Sequence, residues 1–253
     1  YDMEQLAKYN DYLFLMAYDE HNSASKPGDV CSQQFVERAT DWAARNIPND
    51  KLVLGLAAYG YDWCEDKQGE TVTFNQAVAS ALNAGAPIDF NEDSYNLNFS
   101  YIDDNNKLHQ VYLTDAATSY NIMRFGAEYH LAGFSVWRLG TEDSRIWNFY
   151  GKDMSYENTS NWNLQKLLQI RSLDDVNFVG NGEVLQVESE PQPGYISIVK
   201  DKDDGLVANE IYRKLPSNYT VTKIGRCHAK DLVITFDDGP DSKWTPQVLS
   251  ILK

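Results

Sequence analysis

Two short apolar runs, Leu13-Phe14-Leu15-Met16-Ala17 and Leu52-Val53-Leu54-Gly55-Leu56-Ala57, flank a segment in which Phe35-Val36, Ala39 and Trp42-Ala43 recur at helical spacing before Pro48. Continuous apolar runs, as opposed to alternating ones, are the pattern of strands buried on both faces, as in parallel sheets. Strand, helix and strand in this order predict a βαβ unit with a right-handed crossover. Such a unit needs helices and further strands around it, which points to an α/β fold.

The rhythm breaks between about residues 64 and 114. Thr71-Val72-Thr73-Phe74 leads into a small-residue helix from Ala77 to Ala84, and Phe99 to Ile102, an Asp103-Asp104-Asn105-Asn106 turn and Leu108 to Leu113 predict a hairpin. This is the composition of a small α+β insertion. The βα rhythm resumes with a helix from about Ala116 to Tyr129, its N-cap at Asp115, and a strand Gly133-Phe134-Ser135-Val136-Trp137. Glu142-Asp143 is expected to mark a further helix start.

After Trp147 an asparagine-rich connection (Met154 to Asn163) precedes a short helix expected over Leu164 to Ile170. Alternating stretches at Glu183 to Val187 and Tyr195 to Val199, separated by Pro191, Pro193 and Asp203-Asp204-Gly205, predict a small antiparallel β module. From Asp231 a buried strand, Leu232 to Phe236, is expected to run into Asp237-Asp238-Gly239-Pro240-Asp241, with a helix starting near Thr245-Pro246.

The 22 basic and 37 acidic residues give a net charge of −15. That balance repels polyanions, so a nucleic-acid partner is excluded. Cys31, Cys64 and Cys227 lie far apart and form neither a zinc-ligand pair nor a disulfide framework; they read as small hydrophobes. No apolar run approaches the roughly 18 residues that span a bilayer. The chain begins at Tyr1 and stops at Lys253 within a helical pattern, so both ends are expected to be internal to a longer protein.

Three predicted strands end in chemically distinctive residues: Tyr18-Asp19, Tyr59 with Trp63, and Trp137-Arg138. In a βα barrel the active site is built at that end of the strands. Aromatic rings there suit the apolar faces of sugars, with hydroxyls and carboxylates at the tips. On spacing alone, core packing of Tyr18 and Trp137 is equally consistent.

The strings Leu15 to His21 (LMAYDEH), Lys51 to Trp63 (KLVLGLAAYGYDW) and Gly133 to Gly140 (GFSVWRLG) resemble the sixth, seventh and eighth strands of family 18 glycoside hydrolases, the chitinase-like TIM barrels. The resemblance implies that Tyr18 holds a substrate N-acetyl group, that Asp19 lines the same site with Met16 and Tyr59 nearby, and that Trp137 is the floor under the reacting sugar. It also implies an α+β domain between strands seven and eight. The family's D-x-x-D-x-E signature, which carries the general acid of a substrate-assisted mechanism, has no match in the chain.

A second string, Thr235-Phe236-Asp237-Asp238-Gly239-Pro240-Asp241, resembles the first motif of polysaccharide deacetylases of carbohydrate esterase family 4. Asp-Asp-Gly-Pro alone is an ordinary turn composition. The resemblance implies Asp237 as general base and Asp238 as ligand of a divalent metal, zinc above all, in the complete domain. His21, His109, His130 and His228 lack ligand spacing and are expected to be packed or surface residues.

The expected architecture is thus α/β: the last strands of a partial TIM barrel over 1–150 with its insertion, a linker helix and small β-rich module over 151–228, and the first strand and helix of a second α/β barrel over 229–253. The resemblances imply a hydrolase acting on N-acetylglucosamine-containing polysaccharide. They place it outside the cell or in the envelope of a bacterium, with membrane anchoring of the full-length protein open. A non-catalytic glycan-binding barrel that presents polymer to the deacetylase is the alternative.

Overall fold

The structure, a computed structural model, describes residues 2–65, 67–225 and 234–252. In chain order the elements are α1 (Met3–Tyr9), β1 (Leu13–Leu15), α2 (Gln33–Asn46), β2 (Leu52–Ala57), β3 (Gly60–Cys64), β4 (Glu70–Val72) and α3 (Phe74–Ala84). They continue as β5 (Asp89–Asn91), β6 (Asn96–Ile102), β7 (Leu108–Leu113), α4 (Ala116–Ala127), β8 (Gly133–Trp137) and α5 (Tyr156–Thr159). The last are β9 (Gln169–Ile170), β10 (Val176–Gly180), β11 (Val184–Ser189), β12 (Gly194–Lys200), β13 (Val207–Lys214), β14 (Tyr219–Ile224) and α6 (Thr245–Ile251).

β1, β2 and β8 form a parallel sheet with β2 in the middle, Leu13 opposite Leu52 and Ala57 opposite Trp137. All six β2 residues are buried, because strands pair on both sides and α2 and α4 supply Val36, Tyr120, Ile122 and Met123 to the same core. The expectation of two buried faces fails for β1, where Phe14 is 62 % and Met16 70 % exposed. β1 is an edge strand covered on one face only: Leu13, Leu15 and Ala17 turn inward, and the alternate residues face outward. Trp137, on the other edge strand, is exposed for the same reason.

Gly55 lets β1 and β2 approach: a Cβ there would lie 2.9 Å from the Leu15 carbonyl oxygen and 2.9 Å from Cε1 of Tyr18. Gly55→Ala is therefore expected to cost about 1–3 kcal/mol of stability through overpacking. Urea unfolding with an unchanged midpoint would contradict this.

The insertion is an antiparallel five-stranded sheet, β4-β3-β7-β6-β5, which takes up the chain at Gly60. The predicted hairpin is β6–β7, and α3 lays Phe74, Ala77, Val78 and Ala81 on Leu97, Phe99, Val111 and Leu113. A capping box, Thr73 with Gln76, fixes the start of α3.

The predicted helix over Leu164 to Ile170 is a 3-10 turn, Gln165–Leu167, followed by β9, which pairs with β12. Leu164 has φ +54°, incompatible with a helix running through it. The sheet β9-β12-β13 joins the cores through Ile170, Ile196 and Val207. Its β13 also clasps α4, where the Asn121 side chain accepts from Val207 N and donates to Val207 O at 2.7 and 2.9 Å. By contrast the sheet β10-β14-β11 exposes every residue of β10 and β11.

The predicted strand from Leu232 lies partly outside the described residues. Ile234 to Phe236, which are described, form no strand, and Ile234 and Phe236 are 52 % and 61 % exposed. With no described strand pairing them, the apolar run alone does not make a strand. α6 starts at Thr245 with Pro246 in its first turn. Cys31 is fully buried, which pushes its thiol far above the usual range and makes it inert, and Cys64 is partly exposed; Cys227 and His228 lie outside the described residues. Among the described residues, no helix is long and apolar enough to cross a membrane.

Candidate functional site

Because β1, β2 and β8 are parallel, their carboxyl ends open on one side, and there the chain places Tyr18-Asp19, Tyr59 and Trp137-Arg138. A cavity of about 200 Å³ is lined by Asp19, Tyr59, Tyr61, Thr71, Trp137 and Arg138. A roomier cavity, about 490 Å³ around Asp62 and His109 on the insertion sheet, shares no lining residue with it.

Asp19 has φ +59°, a left-handed conformation that aspartate adopts more readily than most residues. One of its carboxylate oxygens, Oδ1, accepts from both the Tyr59 hydroxyl and the Tyr61 hydroxyl, the latter at 2.9 Å. Burial first, then the bond to Asp19, pushes the Tyr59 phenol far up and Tyr61 up to about 12. Burial and the Asp19 charge also raise Tyr18. All three phenols are therefore neutral donors at physiological pH.

The tyrosines are held by one another. Tyr18, Tyr59, Tyr61 and Trp63 form a chain of ring contacts with centroids 6.4, 5.6 and 5.3 Å apart. The Thr114 hydroxyl donates to the carbonyls of Ala57 and Tyr59 at 2.9 and 3.2 Å, which fixes the bend between β2 and β3. Thr141 Oγ1 donates to the Arg138 carbonyl at 2.8 Å and anchors the other wall.

Of the residues singled out from sequence, Asp19, Tyr59 and Trp137 line one cavity, and Tyr18 packs beside it. Met16 stands exposed on the uncovered face of β1 and does not line it. Arg138, marked in the sequence as part of the Trp137-Arg138 strand end, lines the cavity as well, whereas Tyr61 and Thr71 are lining residues that the sequence reading does not single out. The period-two spacing of Tyr59, Tyr61 and Trp63 was the available signal for Tyr61.

Asp237 and Asp238 are exposed in an irregular stretch before a cis Gly239-Pro240 bond. Among the described residues no group of three or more His, Cys, Asp or Glu side chains could hold a metal ion. His109 is packed between carboxylates, its Nδ1 2.8 Å from Asp62 Oδ1, and His21 Nδ1 lies 3.0 Å from the Asp29 carbonyl oxygen.

Comparison with known proteins gives this arrangement its context: the profile of glycosyl hydrolases family 18 matches residues 1–142. The chain belongs to glycosyl hydrolase family 18. It is 32 % identical over 150 residues to the uncharacterized glycosylase YvbX of Bacillus subtilis strain 168, covering 58 % of this chain and 43 % of that protein. It is 28 % identical to the cortical fragment-lytic enzyme of the same organism over 142 residues, 54 % of this chain and 33 % of that enzyme. A chitinase from Chromobacterium violaceum superposes with a TM-score of 0.56 at 30 % identity, over 58 % of this chain and 47 % of that one. The chain thus spans less than half the length of these relatives. The family 18 match contains β1 to β8 and every residue lining the cleft, whereas β9 to β14, α6, Asp237 and Asp238 lie beyond it.

Proposed function

We propose that this chain supplies one wall of a family 18 site for N-acetylglucosamine polymers. In this reading residues 1–150, with the insertion, are the C-terminal part of the barrel, and the exposed faces of Phe14 and Met16 point to its interior. The observation that carries the reading is the Asp19 carboxylate beside the open Trp137 indole. Tyr59 and Tyr61 both donate to Oδ1, and no described residue donates to Oδ2, which is left to accept from a sugar N–H or hydroxyl. Trp137, 57 % exposed, offers a ring face to the C–H side of a pyranose. Tyr18 adds a neutral hydroxyl donor for an acetamido oxygen.

Binding is as far as these residues go. The chain has no D-x-x-D-x-E string, and Asp19, the one carboxyl among the residues lining the cleft, accepts from the Tyr59 and Tyr61 hydroxyls instead of offering a proton. Incubation with N-acetylglucosamine oligomers is therefore expected to give binding without shortening of the oligomers. Release of shorter sugars by this chain, seen by mass spectrometry, would refute the assignment. The same residues equally suit the alternative of a barrel that holds polymer for another catalytic domain.

The string Thr235 to Asp241 supports a second element of the proposal, the start of a polysaccharide deacetylase over 229–253, after a linker and β module at 151–228. Asp237 is its proposed base and Asp238 its proposed metal ligand. The described residues do not build a metal site, since these two exposed carboxylates gather no third donor. A bacterial envelope or extracellular setting, with the whole protein tethered to a membrane as an option, follows from the proposed substrate alone.

A further inference from the structure

Behind the cleft lies a cluster of five polar side chains, four of them buried and Tyr212 half-buried, that the glycan reading does not use. Arg145, 3 % exposed, donates from Nε to Asp143 Oδ2 at 2.8 Å and from Nη2 to Asp115 Oδ2 at 3.0 Å, and its Nη1 reaches the Leu167 carbonyl. From β13, the Tyr212 hydroxyl donates to Asp115 Oδ2 at 3.1 Å. Asp115 caps α4 by accepting from Ala117 N and Thr118 N, and Asp143 accepts from Ala116 N.

The fifth member is Glu210 of β13, 2 % exposed, and no donor reaches either of its carboxyl oxygens. The ionisable groups around it are Asp115 from α4, Asp143 and Arg145 from the turn after β8, and Tyr212 from its own strand. Three carboxyls therefore share one guanidinium. Asp115 and Asp143 already take its donors, so an ionised Glu210 would be a buried charge with no partner, beside a second negative charge. A protonated Glu210 becomes a donor, and Asp115 beside it is the acceptor.

We propose that Glu210 is a protonated carboxylic acid in the folded chain, donating its hydrogen to Asp115, and that this shared proton latches the β9-β12-β13 sheet to the family 18 part. Burial and the charge of Asp115 both favour the neutral acid, in agreement with this arrangement. The latch stands next to the cleft: Thr114, which fixes the Tyr59 carbonyl, precedes Asp115, and Thr141, which anchors Arg138, lies two residues before Asp143. It goes beyond the proposed glycan site and does not depend on it.

The sign of the pH effect follows from linkage. The folded chain keeps a proton that an unfolded glutamate gives up above its ordinary value of about 4.3. Its stabilising contribution is fully present below that pH and falls as pH rises toward the folded-state value, with the folded-to-unfolded ratio dropping up to about tenfold per pH unit for one proton. The test is urea unfolding of the full 253-residue chain and its Glu210→Gln variant between pH 4.5 and 8.5. Gln keeps the shape and supplies a permanent donor, so the variant is expected to gain on the wild type steadily as pH rises. Parallel stability curves, or a variant that loses ground at high pH, would overturn the proposal. Infrared spectroscopy of the folded wild type at pH 7 gives a second readout that needs no variant to fold. A protonated-carboxyl band that resists exchange with bulk deuterium is expected, and its absence would equally overturn the proposal.

Discussion

Arg145→Met is expected to destabilise the chain by about 3–5 kcal/mol, the usual cost of removing one partner from a buried ion cluster. The guanidinium faces Asp115 and Asp143, which are 2 % and 4 % exposed. Without it both carboxylates keep their backbone N–H donors but lose the only cationic partner they have among the described residues, and the Leu167 carbonyl loses its Nη1 donor. Most of the loss should come from uncompensated charge and little from volume, because methionine fills much of the arginine stem's space. The triple variant Arg145→Met, Asp115→Asn, Asp143→Asn should therefore recover a large part of the stability. Denaturant unfolding in which Arg145→Met shifts the midpoint by less than the experimental error would show that the cluster does not hold α4, the 3-10 turn and β13 together.

Asp19→Ala is expected to weaken binding of N-acetylglucosamine oligomers by roughly 10- to 150-fold, the range for a charge-assisted hydrogen bond worth about 1.5–3 kcal/mol. Two effects combine. The ligand loses the Oδ2 acceptor, and the Tyr59 and Tyr61 hydroxyls lose the oxygen that orients both. Asp19→Asn separates them, since its amide oxygen can still accept from the two phenols while the negative charge is gone. An intermediate affinity is expected for Asn. Equal affinities for wild type, Asn and Ala, with unchanged thermal stability, would remove Asp19 from the site.

What the sequence revealed and what it hid divide along contact range. The six-residue apolar run of β2 and the Asp115 cap of α4 are local patterns, and the structure contains both. The cap's second role was illegible, because Arg145 and Tyr212, which meet Asp115, stand 30 and 97 residues away in the chain. Nothing local to Glu210 marks its burial, which comes from packing β13 against α4 and the turn after β8. β1 carried the same apolar signal as β2 yet buries one face, since burial depends on what covers a strand and not on its own composition. In the candidate site, the tip residues Tyr18, Asp19 and Trp137 were visible as chemistry stranded at strand ends. The pairing of Tyr61 with Asp19 was not, because the two stand 42 residues apart and meet only once β3 has left the parallel sheet for the insertion sheet beside the cleft.

The central claim, that the cleft between Asp19 and Trp137 binds N-acetylglucosamine polymer, is tested most directly by calorimetric titration. The oligomer is titrated into wild type, Trp137→Ala and, as a control, Trp42→Ala, whose indole is 50 % exposed on α2 away from the cleft. Trp137 lies open on the edge strand, so its loss should leave the fold intact and remove a stacking surface. The expected result is saturable heat for wild type and Trp42→Ala, with affinity for Trp137→Ala lower by about tenfold or more. Identical isotherms for all three, or no heat with wild type, would contradict the account.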